Sequence, residues 1–288
     1  MSGTPLFGPG GNSESFTAAG FKHTYQAPQW VSEFGLDLYE YQAGNGIYGS
    51  DATFAKIGEE AVKHNIKMSF HAPYYISLSS VEEEKRLNSI GYINKSIHAA
   101  ELMNAYLIVV HSGSTAKMTR EEAMGLAKDT LFKTLEQLGD TSVRIGLETM
   151  GKLNQLGTLE EVIELCRIDE RLYPVVDFGH LNSRNIGGFF ESADDYKRVF
   201  DKISEGLSAY KAETLHCHFS KIEYTKAGEK KHLTFADNEF GPKFEPLMEV
   251  LYKENLSPFI VCESDGTMPE DAMAMKKYYE LLRRENKL

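Results

Sequence analysis

Short runs of β-branched and aromatic residues alternate with longer amphipathic stretches from one end of the chain to the other. Apolar positions that recur every three or four residues predict helices, and the short apolar runs between them predict buried strands. The predicted strands span residues 6–8, 36–41, 67–71, 106–111, 143–148, 173–177, 214–218 and 259–263. The predicted helices span residues 51–65, 80–104, 119–139, 158–168, 193–205, 242–255 and 269–286.

This alternation indicates parallel βαβ units. Eight such units in 288 residues are more typical of a (β/α)8 TIM barrel than of an open doubly wound sheet. No linker or low-complexity run interrupts the pattern, so we expect residues 1–288 to form a single TIM-barrel domain of the α/β class. The glycine-rich segment 8–12 contains a proline and lacks the GxGxxG spacing, which argues against a dinucleotide site.

The net charge of −11 excludes non-specific electrostatic binding to nucleic acid or anionic lipid. Any contact with nucleic acid must therefore be local, and divalent cations bound by carboxylates are one source of local positive charge.

No apolar run approaches the ~20 residues of a membrane span, and the first residues do not resemble a secretion signal. Three scattered cysteines suit a reducing compartment. We expect a soluble, cytoplasmic and monomeric protein without a membrane partner.

Polar residues end six of the predicted strands. They are His71, His111, Glu148, Asp177, the pair His216 and His218, and Glu263. The carboxyl ends of TIM-barrel strands meet at one mouth, where this fold carries its catalytic groups. A single histidine at a strand end is usually structural, but six strands that end in this way predict a metal centre. Imidazole nitrogen and carboxylate oxygen suit zinc, manganese or iron, and a shared carboxylate can bridge two ions.

Six segments of the chain resemble the signature segments of the endonuclease IV family of apurinic/apyrimidinic endonucleases. These are residues 71–78, 110–114, 146–149, 176–180, 216–221 and 261–263, and they occur in the family's order and with similar spacing. The resemblance implies a TIM barrel with three zinc ions that hydrolyses the DNA backbone 5′ to an abasic site. It thus implies abasic-site DNA as the partner, base-excision repair as the function and two or three Zn²⁺ ions as the cofactor, with Mn²⁺ or Co²⁺ as alternatives.

The resemblance also implies which residues hold each ion. The first ion would be held by His71, His111 and Glu148, the second by Glu148, Asp177, His216 and Glu263, and the third by His180 and His232. Glu148, which bridges two ions, and Glu263, which orients or deprotonates the attacking water, would be the catalytic carboxylates. Tyr74 matches an aromatic residue that the family places beside the DNA, although packing at the barrel rim would explain it equally well.

The third ligand set departs from the family pattern. The family has an aspartate two residues before the last histidine, whereas this chain has Lys230 two residues before His232. A protonated lysine cannot bind zinc, so the set is one ligand short. The missing ligand is His218, Asp237 or Glu229, or Lys230 contributes its own positive charge towards the substrate in place of that ion.

The loop after the second strand is the other departure. The family has an arginine there that inserts into the DNA stack, but residues 42–48 contain none. This absence weakens the case for duplex DNA as the substrate. Arg184, which follows the sixth strand, could face a phosphate instead.

Two other functions remain open at this stage. Glu148, Asp177, His216 and Glu263 are similar to the one-metal site of xylose-isomerase-like sugar isomerases and epimerases, in which two glutamates move a proton beside a carbonyl group. That function would leave four histidines unused. The chain could also be a non-catalytic metal-binding protein, and the altered third ligand set is the only feature that supports this alternative. The phosphodiesterase is the favoured hypothesis.

Overall fold

The computed structural model describes residues 3–285, within which the chain forms ten strands. The strands are β1 (Leu6–Pro9), β2 (Leu38–Gln42), β3 (Lys67–His71), β4 (Ala105–His111), β5 (Arg144–Glu148), β6 (Leu172–Asp177), β7 (His216–Phe219), β8 (Lys221–Thr225), β9 (Gly228–Leu233) and β10 (Phe259–Cys262). Eight of them are parallel neighbours in the order β1-β10-β7-β6-β5-β4-β3-β2. A parallel bridge between Gly10 and Glu40 brings the two edges of this sheet together. The sheet is therefore a nearly closed barrel, and the predicted fold class is confirmed.

The helices lie outside the strands and follow them in alternation. They are α1 (Glu14–Ala18), α2 (Ala27–Phe34), α3 (Asp51–Lys63), α4 (Glu83–Leu102), α5 (Arg120–Gln137), α6 (Leu159–Cys166), α7 (Phe178–Arg184), α8 (Ala193–Gly206), α9 (Ala209–Glu213), α10 (Glu245–Lys253) and α11 (Met268–Glu285). Each predicted helix is present, although residue 286 of the last one lies outside the described residues. The sequence did not predict α1, α2, α7, α9 or the hairpin of β8 and β9.

Apolar side chains fill two separate regions of the fold. The larger core lies between the strands and the surrounding helices and includes Phe70, Leu131 and Leu247. A small second cluster, Leu107 with Val109 and Val175, comes from strands β4 and β6. None of the helices among the described residues is long and apolar enough to cross a membrane.

Candidate metal centre

The polar residues at the strand ends converge at one mouth of the barrel. His71, His111, Glu148 and Asp177 are the last residues of β3 to β6, and Glu263 directly follows β10. The parallel register places His111 opposite Glu148. Together with the hairpin of β8 and β9, these strand ends surround a cavity of about 440 Å³. The predicted convergence of strand-end side chains is therefore what the structure shows.

Glu148 lies between two histidines in the first ligand set. Its Oε2 atom is 3.6 Å from Nε2 of His71 and 3.4 Å from Nε2 of His111. Both distances exceed those of ordinary hydrogen bonds. They are close to the ~3.3 Å that separates two ligands of a tetrahedral ion with bonds of ~2.0–2.1 Å. The same oxygen is buried and has no hydrogen-bond donor. A buried carboxylate oxygen that lacks a donor and faces two imidazoles fits a divalent cation.

Glu148 also belongs to the second ligand set. Its Oε1 atom is 2.9 Å from Nδ1 of His218, and that nitrogen is 3.4 Å from Oε2 of Glu263. Asp177 completes this group, in which all the ligand atoms lie within 4.8 Å of one another. Oδ1 of Asp177 accepts the backbone N–H of His180 at 2.7 Å and so caps α7, while its buried Oδ2 has no donor. Glu148 is therefore placed to bridge two ions.

The structure corrects the predicted ligand from β7, because His218 and not His216 lies with the second set. Residues two apart on a strand point to the same face, so the sequence could not distinguish these two histidines. His216 lies deeper in the barrel. Its Nε2 contacts Glu40 at 3.0 Å, and its Nδ1 lies 2.5 Å from the hydroxyl of Tyr106.

Glu229 lies with His180 and His232 in the third set, where the family pattern left one ligand open. It lies on β9 together with His232, and its Oε2 atom is 3.5 Å from Nε2 of His180. The pairing of β8 with β9 is irregular at this point, so that no residue of β8 is paired with Lys230 in the strand register. Such a bulge changes the side to which the following residues point. Glu229 and His232, three residues apart, consequently face the same ion position.

Lys230 does not take the place of an ion. Its Nζ atom lies 2.5 Å from Glu223 on the neighbouring strand of the hairpin, and its side chain is largely exposed. It lines a second cavity of about 720 Å³ that adjoins the mouth. Asp237 is not a member of the third set either, since its Oδ1 accepts the backbone N–H groups of Glu239 and Phe240. A contact between Lys230 and a substrate stays a prediction.

Three of the histidines have one ring nitrogen held by a hydrogen bond. Nδ1 of His71 lies 2.8 Å from the carbonyl oxygen of Ala72, and Nδ1 of His180 lies 3.0 Å from that of Thr149. Nδ1 of His232 lies 2.9 Å from a serine hydroxyl. An N–H at Nδ1 of His71 and of His180 donates to these carbonyl oxygens, which leaves the lone pair of each neutral ring on Nε2 for a metal ion. Nε2 of His71 faces Glu148, and Nε2 of His180 faces Glu229.

The buried charges of the site strongly influence one another. Burial acts to raise the pKa of Glu148, but the charge of His218 and hydrogen bonds from His180 and His218 hold it well below its usual value. Burial acts to lower the pKa of His180, but the charge of Asp177 and the hydrogen bond to Glu148 hold it well above its usual value. Burial lowers the pKa of His111 to about 3, so this imidazole is a neutral ligand at pH 7. The carboxylates thus attract protons or cations into the mouth.

Tyr74 lies at the rim of the mouth, as predicted for a residue beside the substrate. Its ring centroid is 5.2 Å from that of His71 and 5.4 Å from that of His111, and 53% of the residue is exposed. A Cβ atom at Gly44 would lie only 2.2 Å from the Tyr74 ring, so a glycine is needed there. Burial and the charge of Glu263 raise the pKa of Tyr74 to about 12. Its hydroxyl is therefore a hydrogen-bond donor at neutral pH.

Arg184 is turned towards backbone carbonyls and does not line the mouth, so its predicted phosphate contact finds no support in this arrangement. Its guanidinium group donates four hydrogen bonds of 2.7–3.3 Å to backbone carbonyls in the loop of residues 150–155. Both terminal nitrogens of the guanidinium group are thus bonded to the backbone. Arg184 fixes the loop that carries Met150, Lys152 and Gln155 to the edge of the mouth.

Sequence reasoning missed the acidic residue Glu40 and gave Glu229 only as one of three candidates for the ligand missing from the third set. Glu40 is fully buried in β2, where its oxygens contact His216 and His218 at 3.0 Å. Fully buried glutamates are rare unless they are paired. A glutamate between Tyr39 and Tyr41 in a predicted strand was therefore the signal available in the sequence.

Comparison with known proteins agrees with this geometry. An uncharacterized protein of Methanocaldococcus jannaschii is 28% identical over 89% of this chain and 92% of its own length. A probable endonuclease 4 of Mycoplasma genitalium is 30% identical over 68% of this chain and 66% of its own length.

Solved structures with this fold include an endonuclease and an epimerase-like protein. Endonuclease IV from Thermus thermophilus superposes with a TM-score of 0.69 at 19% identity, over 98% of this chain and 100% of its own. A D-tagatose 3-epimerase-like protein superposes with a TM-score of 0.68 at 20% identity, over 89% of this chain and 93% of its own. These findings confirm the resemblance to endonuclease IV. Because residues 28–284 match the family model described as xylose isomerase-like TIM barrel, the chain belongs to that family.

Proposed function

We propose that this protein is a metal-dependent phosphodiesterase that hydrolyses the DNA backbone 5′ to abasic sites, as in base-excision repair. The observation that carries the proposal is the presence of three ligand sets around one mouth, two of which share Glu148. A one-metal isomerase needs only the second set. The first and third sets have no role in such an enzyme, whereas phosphodiester hydrolysis uses several cations around one phosphate.

The donor atoms suit zinc, with Mn²⁺ or Co²⁺ as alternatives. The first set offers two imidazoles and a carboxylate, the second an imidazole and three carboxylates, and the third two imidazoles and a carboxylate. When bound, divalent cations would neutralise the phosphate and lower the pKa of water. Two ions are expected from the first and second sets, and a third from the set that contains Glu229.

Glu263 is the side chain best placed to handle a proton. Its side chain is 15% exposed at the mouth, whereas those of Glu148 and Asp177 are almost fully buried. Its Oε1 atom accepts a hydrogen bond from Gln42 at 3.4 Å, and its Oε2 atom faces His218. It is thus held at the edge of the cavity, where it can orient an attacking water and accept its proton.

The chain offers local contacts for a nucleic acid in spite of its negative net charge. The two adjoining cavities share Tyr74, Glu229, His232 and Glu263 and so form one continuous groove. Lys152 lines one part of this groove, and Lys230 and Lys231 line the other. These lysines can contact phosphates on either side of the scissile bond, while the exposed ring of Tyr74 can pack against a sugar or a base.

The decisive experiment is incision of a duplex oligonucleotide that bears one synthetic, reduced abasic site. Such a site blocks lyase chemistry and leaves only hydrolysis. Zinc-loaded wild type is expected to cut on the 5′ side, whereas Glu263→Gln is not, which excludes a contaminating nuclease. If wild type carries its ions but neither protein cuts, the phosphodiesterase proposal is wrong for this substrate.

A sugar isomerase or epimerase is the second candidate. It is favoured by the loop of residues 42–48, which contains no arginine, and by Glu148 and Glu263, which both face Nδ1 of His218. Two carboxylates around one metal-binding histidine would suit proton transfer at a carbon beside a carbonyl. The test is exchange of a substrate C–H proton with solvent across a panel of ketoses and sugar phosphates. This function requires exchange by wild type that is lost in Glu263→Gln.

A further inference from the structure

A cluster of polar side chains lies inside the barrel, beneath the second ligand set. It consists of Glu40 on β2, Ser69 on β3, Tyr106 on β4, and His216 and His218 on β7. Two strands, β1 and β10, separate β2 from β7 around the barrel. Glu40 and the two histidines therefore meet across the interior, where each is at most 1% exposed.

Each oxygen of Glu40 accepts two hydrogen bonds. Oε1 accepts from Nε2 of His218 at 3.0 Å and from Gln42 at 3.2 Å. Oε2 accepts from Nε2 of His216 at 3.0 Å and from Ser69 at 2.8 Å. These are ordinary hydrogen-bond lengths, unlike the 3.4–3.6 Å between Glu148 and its histidines in the first set. Glu40 is therefore a saturated acceptor, whereas Glu148 retains an oxygen without a donor.

The contact with Glu40 determines which nitrogen of His218 faces the second ligand set. Both ring nitrogens of His218 contact carboxylates, Nε2 at 3.0 Å from Glu40 and Nδ1 at 2.9 Å from Glu148, so an ion that binds at Nδ1 takes the place of the Nδ1 proton and leaves the N–H at Nε2 on Glu40. Nδ1 is the atom that faces Glu148 and Glu263. His71, His180 and His232 have the opposite arrangement, with Nδ1 bonded to an oxygen of the protein. Nδ1 of His180 also lies 3.4 Å from Oδ2 of Asp177 and 3.5 Å from Oε1 of Glu148, whereas Nε2 of His218 contacts Oε1 of Glu40 at 3.0 Å.

We propose that Glu40 is a positioning residue of the metal centre, which holds the ring of His218 so that its Nδ1 lone pair faces the second ion. A carboxylate behind a metal-binding histidine fixes the orientation of the ring and increases its basicity as a ligand. His216 and Tyr106 hold Glu40 in turn: the Tyr106 hydroxyl donates to Nδ1 of His216, and the N–H at Nε2 of His216 donates to Glu40. This inference rests on the metal centre of the proposed function.

Glu40→Gln tests the proposal with little change in volume. The amide offers one acceptor and one donor group to two imidazole N–H groups, so one histidine loses its acceptor. Zinc affinity of the second set is expected to fall by about 10- to 100-fold, the usual effect of losing such a partner. Ser69→Ala is the matched control, because it removes a buried hydrogen bond to the same carboxylate but leaves His218 untouched. Its zinc affinity should stay close to that of wild type.

The measurement is a zinc titration against a competing chelator, together with thermal unfolding of the metal-free proteins. Equal zinc affinity in wild type and Glu40→Gln would overturn the positioning role and leave the metal centre intact. Absence of zinc binding by wild type would instead refute the proposed function. A loss of affinity equally large in Ser69→Ala would show that Glu40 acts only through general packing of the barrel.

A zinc-loaded crystal structure of wild type provides a second test, which does not depend on the folding of a variant. The expected structure has Nδ1 of His218 bound to the ion and Nε2 within hydrogen-bond distance of Glu40. An ion bound to Nε2 of His218, or to Glu40 itself, would overturn the proposal.

Discussion

Glu229 and His232 face the same side of β9, although they are three positions apart along the chain, because Lys230 has no paired residue on β8 and forms a bulge between them. This arrangement gives the third ligand set a carboxylate at a different spacing from the aspartate of the endonuclease IV family. The three sets around the mouth can then be tested one ion at a time.

Glu229→Ala should remove one ion per chain, because only its carboxylate joins His180 and His232 in the third set. Lys230→Ala is the matched control on the same strand, since that side chain pairs with Glu223. Elemental analysis after removal of free zinc provides the count. Loss of an ion in Lys230→Ala but not in Glu229→Ala would contradict this assignment.

His111→Ala should also remove one ion, from the first set. His111 and His71 are the two imidazoles that face the free oxygen of Glu148, so the set would retain too few ligands to hold zinc. The control is His98→Ala, which changes an exposed histidine on α4 that pairs with Asp51. A zinc content that is unchanged in His111→Ala would contradict the assignment of an ion to the first set.

Arg184→Gln should lower the free energy of unfolding without changing the zinc content. The variant loses charge-assisted hydrogen bonds to the backbone of residues 150–155. Such bonds contribute about 1–3 kcal/mol, and the lower end applies to this partly exposed side chain. Urea unfolding measures the change. Unchanged stability together with a raised KM for DNA would restore the phosphate contact that the structure argues against.

Glu161 should stabilise the fold in a pH-dependent way. Burial acts to raise its pKa, but hydrogen bonds from Arg120 and from the backbone of Thr158 hold it below its usual value. The stabilisation is therefore present above the unfolded-state pKa of ~4.3 and is lost as the pH falls through the lower folded-state pKa.

Glu161→Gln tests this dependence. We expect the variant to be less stable than wild type by about 1 kcal/mol at pH 7, and the difference to shrink towards pH 3. Urea unfolding at several pH values measures it. Glu164→Gln, on the same helix, changes an exposed pair with Lys128 and should have little effect. A difference that stays constant with pH would show that the charge of Glu161 is not involved.

Much of the site followed from the sequence, because a TIM barrel brings the carboxyl ends of all its strands to one mouth. Once the alternation of strands and helices was recognised, His71, His111, Glu148, Asp177 and Glu263 could be placed together from their positions at strand ends alone. Their chemistry then indicated a metal centre. The capping boxes that begin at Thr119 and Thr158 likewise depend only on neighbouring residues.

The tertiary structure decided what depends on depth, register and distant partners. His216 and His218 share a face of β7, so only the packing of the barrel shows which one reaches the second set. Glu229 reaches the third set through a bulge that exists only when β8 pairs with β9. Glu40 and His216 are 176 residues apart in sequence. Local patterns thus determined which residues lie at the mouth, whereas strand pairing and barrel closure determined which of their atoms meet.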